Sequence, residues 1–140
     1  MKTKHAQAHM KTAYNYASLS YATRRKVGCV IIKDNSIISI GWNGMAPGED
    51  NNCEDENGKT KPGCIHAEDN ALRKLTRSHE SAVGSTVFVT LVPCELCAPR
   101  LVEAKVSKVY YCEYKPKHQV GIDFLLRHGV EVEQLVLQEE

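Results

Sequence analysis

The chain has 140 residues, of which 42% are hydrophobic and 25% charged, and 18 Lys and Arg against 17 Asp and Glu give a formal net charge of +1. These values suit one folded domain spanning 1–140 with a single sheet-and-helix core. They exclude a polybasic grip on long nucleic acid, which needs a clear cationic excess, and no run approaches the roughly 18 apolar residues of a membrane span.

In chain order, the opening MKTKHAQAHMKTAYNY carries no apolar signal-peptide run, so a cytoplasmic, reducing compartment is expected. Cys29, Cys53, Cys64, Cys94, Cys97 and Cys112 then read as thiols or metal ligands rather than disulfides. Ala6, Met10, Ala13 and Ala17 recur at the period of an amphipathic helix. Two β-branched runs, Val27–Ile32 and Ile37–Ile40, flank the turn signal Asp34-Asn35-Ser36 and predict a hairpin. Gly44 to Gly63 is polar and without apolar pattern, long for a connection, and such loops tend to be functional or mobile.

A helix is predicted from His66 to about Ser78, with Ala67, Ala71, Leu72 and Leu75 as its buried stripe. Ser85–Leu91 reads as a strand, and Cys94–Ala104 as a short helix with Pro93 just outside its start. Lys108–Glu113 is a further strand, GIDFLLRHG a helix closed by Gly129, and VEVEQLVL a last alternating strand. The alternation implies right-handed parallel crossovers joined to the hairpin, hence a mixed five-stranded sheet with helices on both faces, a three-layer α/β/α architecture.

The chemistry sits at two helix starts. Cys94 and Cys97, three apart, share one face and reach a single tetrahedral zinc, and a helix N-terminus favours thiolate. Taken alone, a CxxC pair is as readily two cysteines in a crowded turn. His66 opens the preceding helix, and in a parallel strand-helix arrangement both helix starts emerge at one sheet edge. Three ligands, His66, Cys94 and Cys97, leave a fourth position open, the mark of a catalytic site that activates water near neutral pH. Glu68, in the first helical turn, borders the same cavity and can shuttle protons as general acid and base. Its blander reading is an acid favoured by the helix dipole.

The HAE and PCELC pair resembles the signature of zinc-dependent nucleobase deaminases. RRKVGCVIIKDNSIISIGWNG, HAEDNAL, TLVPCELCA and VYYCEY, in that order, are similar to blocks of the deoxycytidylate (dCMP) deaminase branch over most of Arg24–Gly129. That resemblance implies a cytidine deaminase-like fold, zinc on His66, Cys94 and Cys97, and Glu68 as general acid/base. It implies hydrolytic conversion of dCMP to dUMP and ammonia, supplying dUMP for thymidylate synthesis. It further implies that Asn43 and Tyr114 contact the nucleotide, with Arg24 or Arg25 near its phosphate. The loop Gly41–Gly44 is similar to the part of that family's hairpin that receives deoxynucleotide effectors. This implies an effector site at Gly41, Asn43 and Gly44 for dCTP or dTTP with Mg²⁺, in a homohexamer.

The sequence also departs from the family's pattern. Ala22 stands where many members carry a cysteine, so a second, structural zinc on Cys53 and Cys64 lacks a ligand and is not expected. Cys29 and Cys112 lie in strand runs and read as core thiols. Trp42 replaces a usual tyrosine. Rival readings are a deaminase of dCTP or C5-modified dCMP, a nucleic-acid deaminase of the tRNA-adenosine type, and a non-enzymatic zinc module closed by Cys53 or Cys64.

Overall fold

The structure, a computed structural model, describes residues 1–46 and 48–138. Strands β1 (Gly28–Lys33) and β2 (Ser36–Trp42) form the expected hairpin, antiparallel from Gly28 opposite Trp42 to Lys33 opposite Ser36. Asp34 and Asn35 at its tip have φ of 51° and 63°. A two-residue turn needs that left-handed pair to match the strand twist, and Asp and Asn tolerate it better than other side-chain-bearing residues. β3 (Thr86–Leu91) pairs antiparallel with the other edge of β1. β4 (Lys108–Glu113) and β5 (Glu131–Gln134) continue in parallel, giving the order β2-β1-β3-β4-β5.

Alternating strand side chains divide the core into two layers, one on each face of the sheet. Helix α1 (Thr3–Ala17) covers one face, packing Ala6, Met10 and Ala13 on Val30, Ile32, Phe88 and Tyr110. The helices α2 (Ala67–Leu75), α3 (Cys97–Glu103) and α4 (Gln119–Arg127) cover the other, over Ile31, Val87, Val89 and Val109. Each such fully buried aliphatic or aromatic side chain contributes about 1.5–3 kcal/mol of transfer free energy. The mixed five-stranded, three-layer architecture expected from the pattern is the one observed.

Element ends differ from expectation in instructive ways. α2 stops at Leu75, and Thr76, Arg77 and Ser78 continue with amides bonded three residues back, a tightened final turn. α3 begins at Cys97 rather than Cys94, although the Ala98 amide still donates to the Cys94 carbonyl at 3.0 Å. β5 is shorter than the VEVEQLVL run; beyond it, Gln7 of α1 donates to the Val136 carbonyl at 3.0 Å and accepts from the Gln138 amide at 3.0 Å. Cys29 is fully buried as expected, whereas Cys112 is only half-buried.

The Gly44–Gly63 stretch is organised rather than featureless. Gly44 and Ile65 exchange backbone bonds of 3.0 and 2.8 Å, closing its two ends together. Within it, the Lys61 amide donates to Cys53 at 2.7 Å and the Asp55 amide to Lys59 at 2.8 Å, making a miniature hairpin. The Asp55 carboxylate caps its tip, accepting from the amides of Asn57 and Lys59 at 2.9 and 3.0 Å.

Candidate metal centre and adjoining pocket

His66 is the residue before the first turn of α2, with extended backbone (φ −70°, ψ 156°) and no side-chain cap. The imidazole is turned instead towards the start of α3. Its Nδ1 lies 3.2 Å from Cys97 Sγ and 3.5 Å from Cys94 Sγ, and all three donor atoms fall within 4.8 Å of one another. A tetrahedral zinc bonded at about 2.0–2.1 Å to nitrogen and about 2.3 Å to sulfur separates the two by about 3.5 Å. The three side chains therefore fit zinc in number, softness and spacing. Neither Cys53 nor Cys64 joins this cluster, so the protein supplies three donors and not four among the described residues.

The close approach of α2 to the sheet sets this geometry. A side chain at Gly41 would run into the Ala67 carbonyl and the Ala71 amide, so the helix start rests on bare β2 backbone. α2 is further tied to α3 by Asp69, whose Oδ2 meets Arg73 at 3.1 Å and Arg100 at 3.2 Å. The helices carrying the three ligands are thus linked by a nearly buried carboxylate.

Electrostatics at the cluster favour an anionic sulfur beside a cationic ring. Cys94 is drawn down to about 3, chiefly by the hydrogen bond from the Cys97 thiol and also by His66. Cys97 is correspondingly pushed well above the ordinary thiol range by holding that proton and by burial. His66 is raised by its bond to Cys94. Glu68 is 5% exposed, and burial pushes its carboxyl up to about 7.

His66, Glu68 and Cys94 line a cavity of about 530 Å³, and Arg24, Arg25 and Asn43 line it too. Of the substrate-contact candidates, Tyr114 is the exception. It is 42% exposed, does not line the cavity, and donates its hydroxyl to Gln119 Oε1 at 2.6 Å. The two arginines differ. Arg25 pairs with Glu113 at 3.8 Å, and Glu113 also accepts the Tyr14 hydroxyl at 2.6 Å. Arg24 forms no salt bridge among the described residues.

The effector candidates Gly41, Asn43 and Gly44 are otherwise engaged. Gly41 lies under α2, the Asn43 amide donates to Val27 at 3.2 Å, and the Gly44 amide donates to Ile65 at 3.0 Å. The backbone amides of Asn43 and Gly44 are thus already bonded within the chain, and Gly41 is covered by the start of α2. The Asn43 side chain accepts from the Val27 amide and donates to the Arg25 carbonyl, both at 2.9 Å. It fixes the backbone of the arginine segment while bordering the cavity.

Other lining residues escaped the sequence reading: Glu54, Lys115, Lys117 and His118. The last three follow β4, and the carboxyl ends of sheet strands are where ligands gather, so their position was a usable signal. His118 Nδ1 lies 2.7 Å from the Val92 carbonyl, which can only accept, and this makes Nδ1 the donor and fixes the ring. Cys53 and Cys64 are neighbours, and Cys64 is pushed up to about 12 by burial and then by its bond with Cys53. No third metal donor accompanies them among the described residues. Trp42 stacks on Tyr16 at 6.1 Å with the Lys74 ammonium 4.8 Å above its ring.

Residues 3–113 match the family model described as the cytidine and deoxycytidylate deaminase zinc-binding region. A dCMP deaminase of the cyanophage S-TIM5, solved in complex with dCMP and dUMP, superposes with a TM-score of 0.93 at 43% identity, covering 96% of this chain and 99% of that one. The deoxycytidylate deaminase of enterobacteria phage T4 is 31% identical, over 91% of this chain and 88% of its own. A probable deoxycytidylate deaminase of Caenorhabditis elegans is 35% identical over 82% of this chain, which spans 61% of that longer protein. No helix among the described residues is long and apolar enough to cross a membrane.

Proposed function

The chain belongs to the cytidine and deoxycytidylate deaminase zinc-binding family, and from that premise we propose that it hydrolyses dCMP to dUMP and ammonia, with residues 1–140 acting as one domain. The observation that carries this reading is one pocket lined by His66 and Cys94 of the three-donor cluster and by a buried carboxylate, Glu68, with Arg24 on its wall. Relatedness to a phage enzyme solved with dCMP and dUMP supports the choice of substrate.

His66, Cys94 and Cys97 would hold zinc. Bound there, zinc supplies Lewis-acid activation of water at neutral pH, with one coordination position open. Glu68, buried in the wall, takes a proton from the attacking water as the oxygen adds to C4 of cytosine. It returns that proton to the ring nitrogen, then carries the proton of the new C4 hydroxyl to the amine, so the C4 carbonyl forms as the C–N bond breaks and ammonia leaves. Burial of Glu68 excludes competing solvent from the proton's path. Arg24 meets the 5′-phosphate by a charge-assisted bond, and Arg25 and Asn43 shape the same wall.

Assembly as a homohexamer, regulation by dCTP and dTTP with Mg²⁺, and a cytoplasmic setting complete the proposal on family resemblance. An effector would need contacts other than the engaged amides of Asn43 and Gly44. The deciding experiment is ammonia release from a panel of dCMP, dCTP, 5-methyl-dCMP, deoxycytidine and single-stranded oligonucleotides. The highest kcat/KM is expected for dCMP; a higher value for dCTP, the C5-modified nucleotide or the oligonucleotide overturns the substrate assignment.

A further inference from the structure

Residues 18–27 run from α1 to β1 without regular secondary structure, yet include the two arginines of the cavity wall. Backbone polar groups near a binding site must find partners, and here side chains from elsewhere supply them. Asn43 serves Arg25 and Val27 at the far end of the segment. At the near end stands Glu54, from the miniature hairpin of the long loop. Its Oε1 accepts from the Thr23 amide at 3.0 Å and the Thr23 hydroxyl at 3.0 Å, and its Oε2 from the Arg24 amide at 3.5 Å.

Glu54 is only 5% exposed, and it is itself steadied by an amide bond to Asn52 Oδ1 at 3.2 Å and a backbone bridge to Thr60. A carboxylate buried this far is normally matched by donors, and these donors all come from the stretch that presents Arg24. The carboxylate does more than fill space, because it holds the backbone of Arg24, a residue of the cavity wall, and also feels that arginine's charge.

We propose that Glu54 is a positioning residue for recognition of the nucleotide phosphate, fixing Thr23–Arg24 so that Arg24 meets the substrate at low entropic cost. This rests on the reading of the pocket as a dCMP site with Arg24 at the phosphate. Preorganisation of this kind acts on the substrate carrying the anion and not on the cytosine chemistry at the metal cluster. Glu54 acts through Arg24, so its effect appears as selectivity.

The test compares kcat/KM for dCMP and deoxycytidine in zinc-loaded wild type, Glu54→Ala, Glu54→Gln, Arg24→Ala and the Glu54→Ala/Arg24→Ala double variant, with thermal unfolding measured on each. In Glu54→Ala the preference for dCMP should fall by about tenfold, the scale of one charge-assisted bond, while deoxycytidine turnover stays within about twofold. Glu54→Gln, which keeps an acceptor for both Thr23 donors, should retain most of the preference. Adding Glu54→Ala to Arg24→Ala should remove little more. Equal losses for nucleotide and nucleoside, or an unchanged preference in Glu54→Ala, overturn the proposal. A wild type with no preference for dCMP overturns the phosphate reading beneath it, and is seen without any variant.

Discussion

Around the metal cluster, the functional side chains stand in or beside the first turns of helices: His66 just before α2 and Glu68 within it, Cys94 three residues ahead of α3 and Cys97 at its first position. At the basic end, Arg24 and Arg25 stand on irregular backbone held by the side chains of Asn43 and Glu54. The first is located by the sheet, two packed helices and the bare α-carbon of Gly41. The second is located by a few hydrogen bonds whose partners are distant in sequence. A fault in the first should therefore remove the chemistry outright, and a fault in the second should change which substrates are accepted.

The largest expected effect comes from Cys94→Ser or Cys97→Ser, which exchanges a soft thiolate for a poor zinc ligand. Metal analysis and ammonia release should show zinc and activity lost together; full activity in demonstrably metal-free protein would break the metal-end account. Glu68→Gln comes next. It should keep zinc while lowering kcat by about 10²–10⁴, and near-normal kcat would remove Glu68 from proton transfer.

How legible each end is in the sequence follows from the same contrast. HAE and PCELC are compact, each fixed to a helix start, and the strand-helix alternation brings those starts to one edge. Sequence spacing therefore translates into spatial proximity for the ligands and for Glu68. Glu54 gave no such signal. It sits in a polar stretch among Asn52, Asp55 and Glu56, and only the folded loop shows which acid turns inward and which cap a turn. Tyr114 shows the converse: the family pattern draws attention to it, but in this fold its hydroxyl is taken by Gln119 and the following lysines and His118 line the cavity. Asn43 lines the cavity, as its candidate role requires, and its side-chain amide also bonds the backbone on both sides of Lys26, a contact that no sequence pattern shows.

Smaller effects sharpen the account of the basic end. Arg24→Ala should reduce kcat/KM for dCMP by about 10- to 150-fold, equivalent to about 1.5–3 kcal/mol, with deoxycytidine little affected. Arg25→Ala should cost less, because Arg25 already has Glu113 as a partner. A larger loss from Arg25→Ala would reverse their roles.

The smallest effect is one of pH. Bonds from the Thr23 amide, and then from its hydroxyl and the Arg24 amide, together with the Arg24 charge, hold Glu54 below its usual 4.5 against the opposing effect of burial. A depressed folded value means the stabilisation is present above about 4.5 and is lost as pH falls through that lower value. The melting temperature of wild type should therefore drop faster below about pH 4.5 than that of Glu54→Gln, which has no proton to bind there. Parallel Tm-against-pH curves would show that the Thr23 and Arg24 bonds do not favour the ionised form.

The packing of α4 against the cysteine-bearing segment has a consequence for observation. A side chain at Gly121 would collide with the carbonyl of Pro93 and press on that of Cys94, so α4 rests on the cysteine loop with no cushioning atoms between them. A shift of that loop has no side-chain rotamer to absorb it and passes directly into the helix backbone. Amide isotope exchange along Gln119–Arg127 thus becomes a remote gauge of order at Cys94, readable by mass spectrometry without touching a ligand, a tag or the substrate pocket.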